Sequence, residues 1–184
     1  MIPFLLTLPK GETFHSDNIE FAHKVFKNDF VDNTCYLTVS TNTYPITVKT
    51  MEVCVCPFGN GSKEKRFWHL ITKKEDDRKK RNNPCPEDTE RNRSFCNARA
   101  KRIHWVKYLI DNWQSDPEIV HYYQGIDLVI WHKRMDFLIV LKKLTNTLDK
   151  FLVTSYLVFR NKRKRYQKEF DKYEREKPNG NEWF

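Results

Sequence analysis

The chain has 184 residues, a length that fits one domain of ordinary size, and 39% of them are hydrophobic, including 13 Phe, 8 Tyr and 5 Trp. That is enough apolar material for a core, which argues against a wholly disordered chain, and no apolar run reaches the roughly 20 residues needed to cross a bilayer. Lys and Arg outnumber the acids by 33 to 24, and the formal charge of +9 favours a polyanionic partner, above all nucleic acid, over a basic surface kept only for solubility.

The start of the chain and its cysteines indicate a cytoplasmic protein. Residues 1–8 are apolar but lack a basic leader and contain Pro3, which makes a poor signal peptide. Five cysteines cannot all pair within one chain, so we expect reduced thiols. The alternative is a structural zinc ion, in which Cys54 and Cys56 join a later cysteine or His69, but C-x-C is not the C-x₂-C spacing of common zinc folds. We therefore expect no metal and no cofactor.

The first part of the chain predicts one helix followed by short strands. Residues 16–31 predict the helix, because apolar residues recur there at helical spacing, and Asp17 with Glu20 can form a capping box at its start. The β-branched and aromatic segments 36–40 and 44–56 predict short strands or a hairpin.

The middle of the chain alternates between apolar and charged segments. Residues 67–72, FWHLIT, form a compact aromatic and aliphatic segment that holds one histidine. Residues 73–93 are a charged insert in which nine of the first eleven residues carry charge, so we expect an exposed loop or a frayed helix. Residues 97–113 predict a second helix with an apolar stripe, and Asp116 with Pro117 ends it.

Three strands and a basic helix complete the predicted order. The spacing of an antiparallel meander is found in three predicted strands, at residues 126–131, 137–141 and 151–159. Residues 161–177 predict a helix in which eight Lys or Arg stand against four acids, around a narrow apolar seam of aromatic residues. Because we find no repeat and no linker, the sequence predicts a single α+β domain over residues 1–184.

Two groups in the middle of the chain could carry chemistry on a phosphate. His69 stands between bulky apolar residues, where a histidine is more often part of the core, but an imidazole can take or give a proton near neutral pH. Arg99 and Arg102 lie three apart on the second predicted helix and could both hold one phosphate, although they could equally be solvated helix charges. His104, on the same helix, is the second choice of histidine.

The strand 151–159 has polar residues at its centre. A period of two puts Thr154 and Tyr156 on one face with Leu152, and Ser155 on the opposite, apolar face. A hydroxyl and a phenol in an otherwise apolar strand must find partners if they are buried. They are therefore either satisfied within the fold or part of a site.

The order of these segments resembles a group of small nucleases. In chain order, the segments are FWHLIT, a helix with ARAKRIHWVKYLI, a strand pair ending in DFLIVL, and FLVTSYLVF with a basic tail. Together they are similar to the phage-type nucleases related to barnase, EndoU, the tRNA-cleaving colicins and RelE. The resemblance spans roughly residues 15–173 and is most specific in FWHLIT, RAKRI and LVTSY.

The resemblance implies a fold and a reaction. The fold is α+β, with N-terminal helices packed on a curved antiparallel sheet of about four strands, a site on the open sheet face and a basic C-terminal helix. The reaction is metal-independent cleavage of RNA, in which the 2′-hydroxyl attacks the adjacent phosphate and leaves a 2′,3′-cyclic phosphate and a 5′-hydroxyl. It requires a proton acceptor, a proton donor and cations for the charge on the phosphorane.

The resemblance also implies roles for individual residues. His69 would be the acid or base, and Arg99 with Arg102 would hold the phosphate. Thr154 would donate a hydrogen bond to a phosphoryl oxygen, and Tyr156 would orient or stack the substrate. The candidate substrate-binding residues are Lys73, Arg134, Ser155, Lys162, Arg163 and Arg165. The charged insert departs from the pattern of the group, whose catalytic residues also vary among its members.

Two function classes follow. The first is an endoribonuclease of the toxin, phage or mobile-element type that acts on tRNA or mRNA, with an acidic inhibitor protein as its expected partner and no membrane. The alternative is a non-catalytic, basic nucleic-acid-binding protein, in which residues 162–165 would matter more than His69 or Thr154. Cleavage of RNA in the presence of EDTA distinguishes the two.

Overall fold

The computed structural model describes residues 3–12, 14–48, 53–55, 62–74, 93–144, 147 and 149–176. Within these ranges there are five helices and ten strands. The helices are α1 (Ser16–Phe30), α2 (Lys65–Ile71), α3 (Asn97–Ala100), α4 (Ile103–Asn112) and α5 (Arg160–Glu176). The strands are β1 (Cys35–Val39), β2 (Asn42–Thr47), β3 (Val53–Val55), β4 (Ser62–Glu64), β5 (Thr72–Lys74), β6 (Arg93–Phe95), β7 (Ile119–Gln124), β8 (Asp127–His132), β9 (Phe137–Lys143) and β10 (Lys150–Leu157). Most of the predicted charged insert, residues 75–92, lies outside the described residues, as do Cys56, Cys85 and the last residue of the predicted helix 161–177.

The chain divides into two compact units. Unit 1 comprises Met1–Asn33 and Val48–Trp105, and unit 2 comprises Thr34–Thr47 and Val106–Phe184. Both units are therefore discontinuous in sequence. The hairpin of β1 and β2 belongs to the same unit as β7 to β10, although some sixty residues of unit 1 come between them.

The helix α1 of unit 1 confirms the first predicted helix. It begins at a different cap, however, because the Nδ1 atom of His15 accepts a hydrogen bond from the backbone N–H of Asp17 at 3.1 Å. The predicted capping box of Asp17 and Glu20 is therefore wrong. Its apolar residues at helical spacing are buried: Ile19, Ala22, Phe26 and Phe30.

A hydrogen bond and an ion pair hold α1 to β4. His23 Nε2 lies 2.6 Å from Glu64 Oε2, and both side chains are largely buried. Lys63, which is buried, pairs with Glu20 at 2.7 Å. Because β4 leads directly into α2, these pairs also fix the start of the helix that carries His69.

The second predicted helix, 97–113, is interrupted. α3 ends at Ala100, Lys101 and Arg102 form a turn, and α4 begins at Ile103. The backbone N–H of Arg102 donates to the carbonyl oxygen of Arg99 at 2.9 Å, a tight i to i−3 bond that breaks the α-helical pattern. Arg99 and Arg102 therefore do not share one continuous helix face, contrary to the prediction.

Unit 2 contains a curled six-stranded sheet with the order β1-β2-β10-β9-β8-β7. Neighbouring strands are antiparallel except β2 and β10, which run parallel through the pairs Ile46–Lys150 and Thr47–Phe151. The α+β class and the C-terminal helix are confirmed. The prediction of an antiparallel sheet of about four strands is wrong in strand number and order, because β7 was missed and the hairpin of β1 and β2 extends the sheet through β10.

A bulge in β10 changes which residues share a face. The pairing of β10 with β9 shifts between Leu152 and Thr154, so Val153 is the extra residue. The cross-strand pairs place Leu152 on the same face as Ser155, and Thr154 with Tyr156 on the other. The shared face of Thr154 and Tyr156 is thus confirmed, and the assignment of Leu152 to that face is wrong.

α5 covers the sheet face on which Tyr156 lies. The face holds a buried apolar cluster of Tyr122, Val129, Trp131, Leu138 and Val158. The aromatic seam of the helix packs against that cluster through Tyr166, Phe170 and Tyr173. The predicted seam is confirmed, but the sheet face that was expected to be open is occupied by a helix where Tyr156 lies.

Candidate functional site

His69 lies in the last turn of α2, in unit 1. Its neighbours in FWHLIT are buried (Phe67, Trp68, Leu70, Ile71), whereas the side chain of His69 is half-buried. The helical arrangement explains the difference, since residues of one seven-residue helix cannot all face the same core.

Two guanidinium groups converge on the end of α2. Nη1 of Arg99 donates to the carbonyl oxygens of His69 at 3.2 Å and Thr72 at 2.6 Å. Nη2 of Arg93, on β6, donates to the same two oxygens at 3.2 and 3.1 Å. Positive charge is favourable there, because the last carbonyls of a helix lack intrahelical partners and carry the negative end of its dipole.

Thr72 and Lys73 complete this end of α2. The hydroxyl of Thr72 donates to the carbonyl oxygen of Trp68 at 2.6 Å and accepts a hydrogen bond from Nε of Arg93 at 2.7 Å. Lys73 follows on β5 and is exposed. We call the group of His69, Thr72, Arg93 and Arg99 the α2 cluster.

Arg102 lies in the turn before α4, also in unit 1. Its Nη1 donates to the carbonyl oxygen of Ala98 at 2.7 Å, and its guanidinium lies over the ring of Trp105, 4.9 Å from the centroid. Its Nε is buried and has no hydrogen-bond partner within the described ranges. Burial lowers the pKa of the Arg102 guanidinium, partly offset by the thiol of Cys96.

His104 is engaged with the N-terminal segment of unit 1. Its Nε2 lies 2.7 Å from the carbonyl oxygen of Phe4, and burial lowers the pKa of its ring. The arrangement fits a structural role rather than the second-choice catalytic role that was predicted for it.

The remaining predicted catalytic residues belong to unit 2. Thr154 is half-buried in β10, and Ser155 on the opposite face is buried. The hydroxyl of Tyr156 lies 2.8 Å from that of Tyr166, and burial raises the pKa of Tyr156. Tyr156 is thus used to hold α5 on the sheet.

The predicted substrate-binding cations of unit 2 differ in their contacts. Arg134 and Lys162 are exposed. Arg163 donates through Nη1 to Asp136 Oδ2 at 3.1 Å and through Nη2 to the carbonyl oxygen of Lys133 at 3.2 Å, so it ties α5 to the turn between β8 and β9. Arg165 pairs with Glu169 at 2.9 Å.

The structure therefore brings His69 and Arg99 together at the end of α2, while Thr154 and Tyr156 belong to the other unit. Sequence reasoning missed Arg93 and Thr72. Thr72 is the last residue of FWHLIT, so it could have been identified within a segment that the sequence already singled out. Arg93 is the last residue of the charged insert, where nothing distinguishes one arginine from the many other charges.

Unit 2 holds a polar group around the buried His132 that the sequence did not indicate. Asp116 accepts hydrogen bonds from the hydroxyl of Tyr108 at 2.7 Å and the backbone N–H of Glu118 at 2.9 Å. His132 is fully buried, and its Nδ1 accepts a bond from the backbone N–H of Met135 at 3.2 Å. The neutral ring therefore carries its proton on Nε2, which lies 3.5 Å from Asp116 Oδ2.

The electrostatics of this group follow from burial. Burial lowers the pKa of His132, and the carboxylate of Asp116 offsets only part of that shift. Burial with the carboxylate of Asp116 beside it raises the pKa of Tyr108 to about 12. At neutral pH the group thus consists of a phenol, a carboxylate and a neutral imidazole.

No protein-family model, curated protein or solved structure matches this chain. Among the described residues, no three His, Cys, Asp or Glu side chains form a group that could hold a metal ion. None of the helices in the described ranges is both long and apolar enough to span a bilayer.

Proposed function

We propose that this protein is an endoribonuclease that cleaves RNA without a metal ion, and that the α2 cluster is the centre of its site. The observation that carries the proposal is the convergence of Arg93 and Arg99 on the end of the helix turn that holds His69. An imidazole on a helix turn whose terminal carbonyls hold two guanidinium groups can supply the proton transfer and the positive charge that phosphodiester cleavage needs.

In the proposed step, a ring nitrogen of His69 takes the proton of the RNA 2′-hydroxyl. The 2′-oxygen forms a bond to phosphorus, and the bond between phosphorus and the 5′-oxygen breaks. The 5′-oxygen leaves with a proton from an acid or from water, so the products are a 2′,3′-cyclic phosphate and a 5′-hydroxyl. The guanidinium groups stabilise the charge of the phosphorane.

The carbonyl contacts support this role because they orient the arginines in advance. A guanidinium has five N–H donors in a rigid plane, and the bonds to His69 O and Thr72 O fix that plane before a substrate binds. Side chains that are already ordered lose less conformational entropy when a phosphate arrives. Lys73, exposed one residue further on, adds a charge that can reach the RNA backbone.

The test is incubation of the purified protein with RNA in excess EDTA, with analysis of the product ends. We expect cleavage that leaves 2′,3′-cyclic phosphates, and we expect His69→Ala to reduce the rate by about 10²-fold or more, the usual contribution of a general acid or base. The matched control is His15→Asn, which removes an imidazole but keeps a side chain that can cap α1.

Thermal unfolding separates chemistry from folding in this test. His69→Ala should melt near the wild-type temperature, because its side chain is only half-buried. A variant that unfolds, or one that retains cleavage, would show that His69 is not the catalytic group.

A second candidate, a basic nucleic-acid-binding protein without catalysis, is favoured by one observation. Tyr156 and Arg163, two of the predicted site residues, are used in internal contacts of unit 2 that hold α5 in place. This function predicts salt-dependent binding of RNA with no new product ends in the same EDTA assay. Either function leaves an acidic inhibitor protein as a proposed partner for the basic surface.

A further inference from the structure

We propose that three cations on the outer face of α5 bind the phosphate backbone of double-helical RNA, so that the substrate is an RNA with a duplex stem. The inference rests on the proposed function in taking RNA as the polyanion, and it names the class of RNA. The three residues, which we call the outer ladder, are Lys164, Lys168 and Arg175.

The first step is the orientation of α5. Its three aromatic residues pack on the sheet, and Glu169 accepts a hydrogen bond from the buried Tyr122 at 3.1 Å, so this side of the helix faces inward. At 100° per residue, positions 164, 168 and 175 fall within an arc of about 40° on the opposite side. All three side chains are exposed. They span eleven residues, or about 16 Å along the axis.

The second step is charge. Three of the other five cations of the helix have carboxylate partners: Arg163 pairs with Asp136, Arg165 with Glu169 and Lys172 with Glu176. Arg160 and Lys162 pair with no carboxylate among the described residues. Asp171 lies beside the ladder and accepts a bond from Gln167 at 2.6 Å. Its carboxylate keeps its charge, so the three cations and Asp171 together carry a net charge of +2 (3 − 1). Within the described part of the chain, no side chain pairs with Lys164, Lys168 or Arg175. The outer ladder is thus a row of three exposed cations that keeps a net positive charge on a rigid element.

The third step is the chemistry of the ligand. Proteins that bind single strands use exposed aromatic rings on which bases stack. The aromatic residues of α5 are Tyr166, Phe170 and Tyr173, and all three pack on the sheet. The outer face therefore offers phosphate contacts without a stacking surface, which suits a duplex whose bases are already paired and whose backbone is outside.

The test measures binding in a His69→Ala background, so that cleavage cannot consume the probe. The probes are a labelled RNA duplex of about 20 base pairs, longer than the span of a known duplex-binding domain, and an unstructured single strand of equal length. The ladder variant carries Lys164→Gln, Lys168→Gln and Arg175→Gln. The control variant carries Lys27→Gln, Lys107→Gln and Lys172→Gln, which are ion-paired cations, so both variants lose three positive charges.

We expect the ladder variant to bind the duplex about 10- to 100-fold more weakly at physiological salt, with the slope of log K against log salt reduced by about two to three. The control variant should stay within a few-fold of the background protein. Glutamine favours helix about as well as lysine, and equal melting temperatures would confirm that α5 is intact.

Two results would overturn the inference: equal duplex binding by the ladder and control variants, or preference of the background protein for the single strand. A failure of the proposed nuclease function would give a different result in these assays. If wild-type protein leaves RNA intact but the ladder variant loses duplex binding, the duplex-binding surface stands and the nuclease assignment falls.

Discussion

At the scale of single residues, the hydrogen bond between Tyr156 and Tyr166 determines what a substitution at either position does. Tyr156→Phe leaves the hydroxyl of Tyr166 without its partner, and we expect it to lower the free energy of unfolding by about 1 kcal/mol. RNA cleavage by the variant should remain within a few-fold of wild type, because the phenol holds α5 rather than the substrate. Urea unfolding and the EDTA cleavage assay measure the two effects.

The double variant Tyr156→Phe with Tyr166→Phe is the control for this reading. It removes both hydroxyls of the pair, so neither is left without the other, and it should recover much of the stability lost by Tyr156→Phe alone. A large loss of cleavage with unchanged stability in Tyr156→Phe would instead support the role that the sequence predicted. Thr154→Val tests the companion prediction in the same assay.

His132 makes stability depend on pH. Burial lowers its pKa in the folded protein, so the unfolded chain binds a proton more readily once the pH falls below the ordinary value of about 6.5. Its stabilisation is complete above that pH and is lost as the pH falls towards the folded pKa. We expect the free energy of unfolding to decrease between pH 7.5 and 5, by at most about 1.4 kcal/mol per pH unit for this one group.

Substitution isolates the contribution of His132. His132→Gln should flatten part of the pH dependence measured by urea unfolding, whatever its effect on stability at pH 7.5. His104→Gln is the natural comparison, because burial lowers the pKa of His104 as well and its removal should flatten another part. An unchanged slope in His132→Gln would contradict the assignment of a neutral buried ring.

At the scale of elements, the end of α2 depends on Arg99. Arg99→Gln removes the donor to two carbonyl oxygens at the helix terminus, and we expect it to lower the free energy of unfolding by about 1 to 2 kcal/mol. If the proposed function is correct, cleavage well below the melting temperature should also fall by more than the folded fraction does. Arg99→Lys keeps the charge but not the planar fork, so it should restore only part of either property.

Lys101→Gln is the control for Arg99→Gln, since Lys101 is a nearby cation that pairs with Glu12 instead of the helix end. It should change stability by less than about 1 kcal/mol, as expected for an exposed ion pair, and leave cleavage unchanged. Equal stability of Arg99→Gln and wild type would show that the arginine does not cap α2.

Elements with a strong period were predictable, and those that depend on tertiary contacts were not. α1 and α5 follow apolar residues at helical spacing, and both lie within a residue or two of the predicted ranges. β7 was missed because IVHYYQ holds polar residues at its centre, and only pairing with β8 fixes it as a strand. The bulge at Val153 was equally invisible, because an extra residue in one strand depends on the partner strand.

The candidate site shows the same division. His69 was identifiable as an imidazole in an apolar segment, and Arg99 as a cation on a nearby element. Arg93 was not, because the charged insert separates it in sequence from the helix end that it contacts. Nor could sequence separate Arg165, which is paired, from Lys164, which is not, since adjacent residues of a helix face in different directions.

At the scale of the whole molecule, the α+β class was predicted, but the grouping of the elements was not foreseen. Chain order suggested one continuous domain, whereas residues 34–47 lie in a compact unit with residues 106–184. The local sequence does not reveal this grouping, because a hairpin such as β1 and β2 has the same sequence pattern whichever strand pairs with its edge. The formal charge of +9 is a property of the whole chain, but where a polyanion would bind depends on which cations lack ion-pair partners.

The parallel pairing of β2 with β10 affects how the protein is made. Ile46 and its partner Lys150 are 104 residues apart (150 − 46), so the hairpin leaves the ribosome long before the strand that completes the sheet. Until then β2 is an unprotected edge on a nascent chain, and such edges pair readily with other polypeptides. Pairing of two strands across so long a stretch of chain is slow. The six-stranded sheet of this small protein should therefore form late, after β10 has been synthesised.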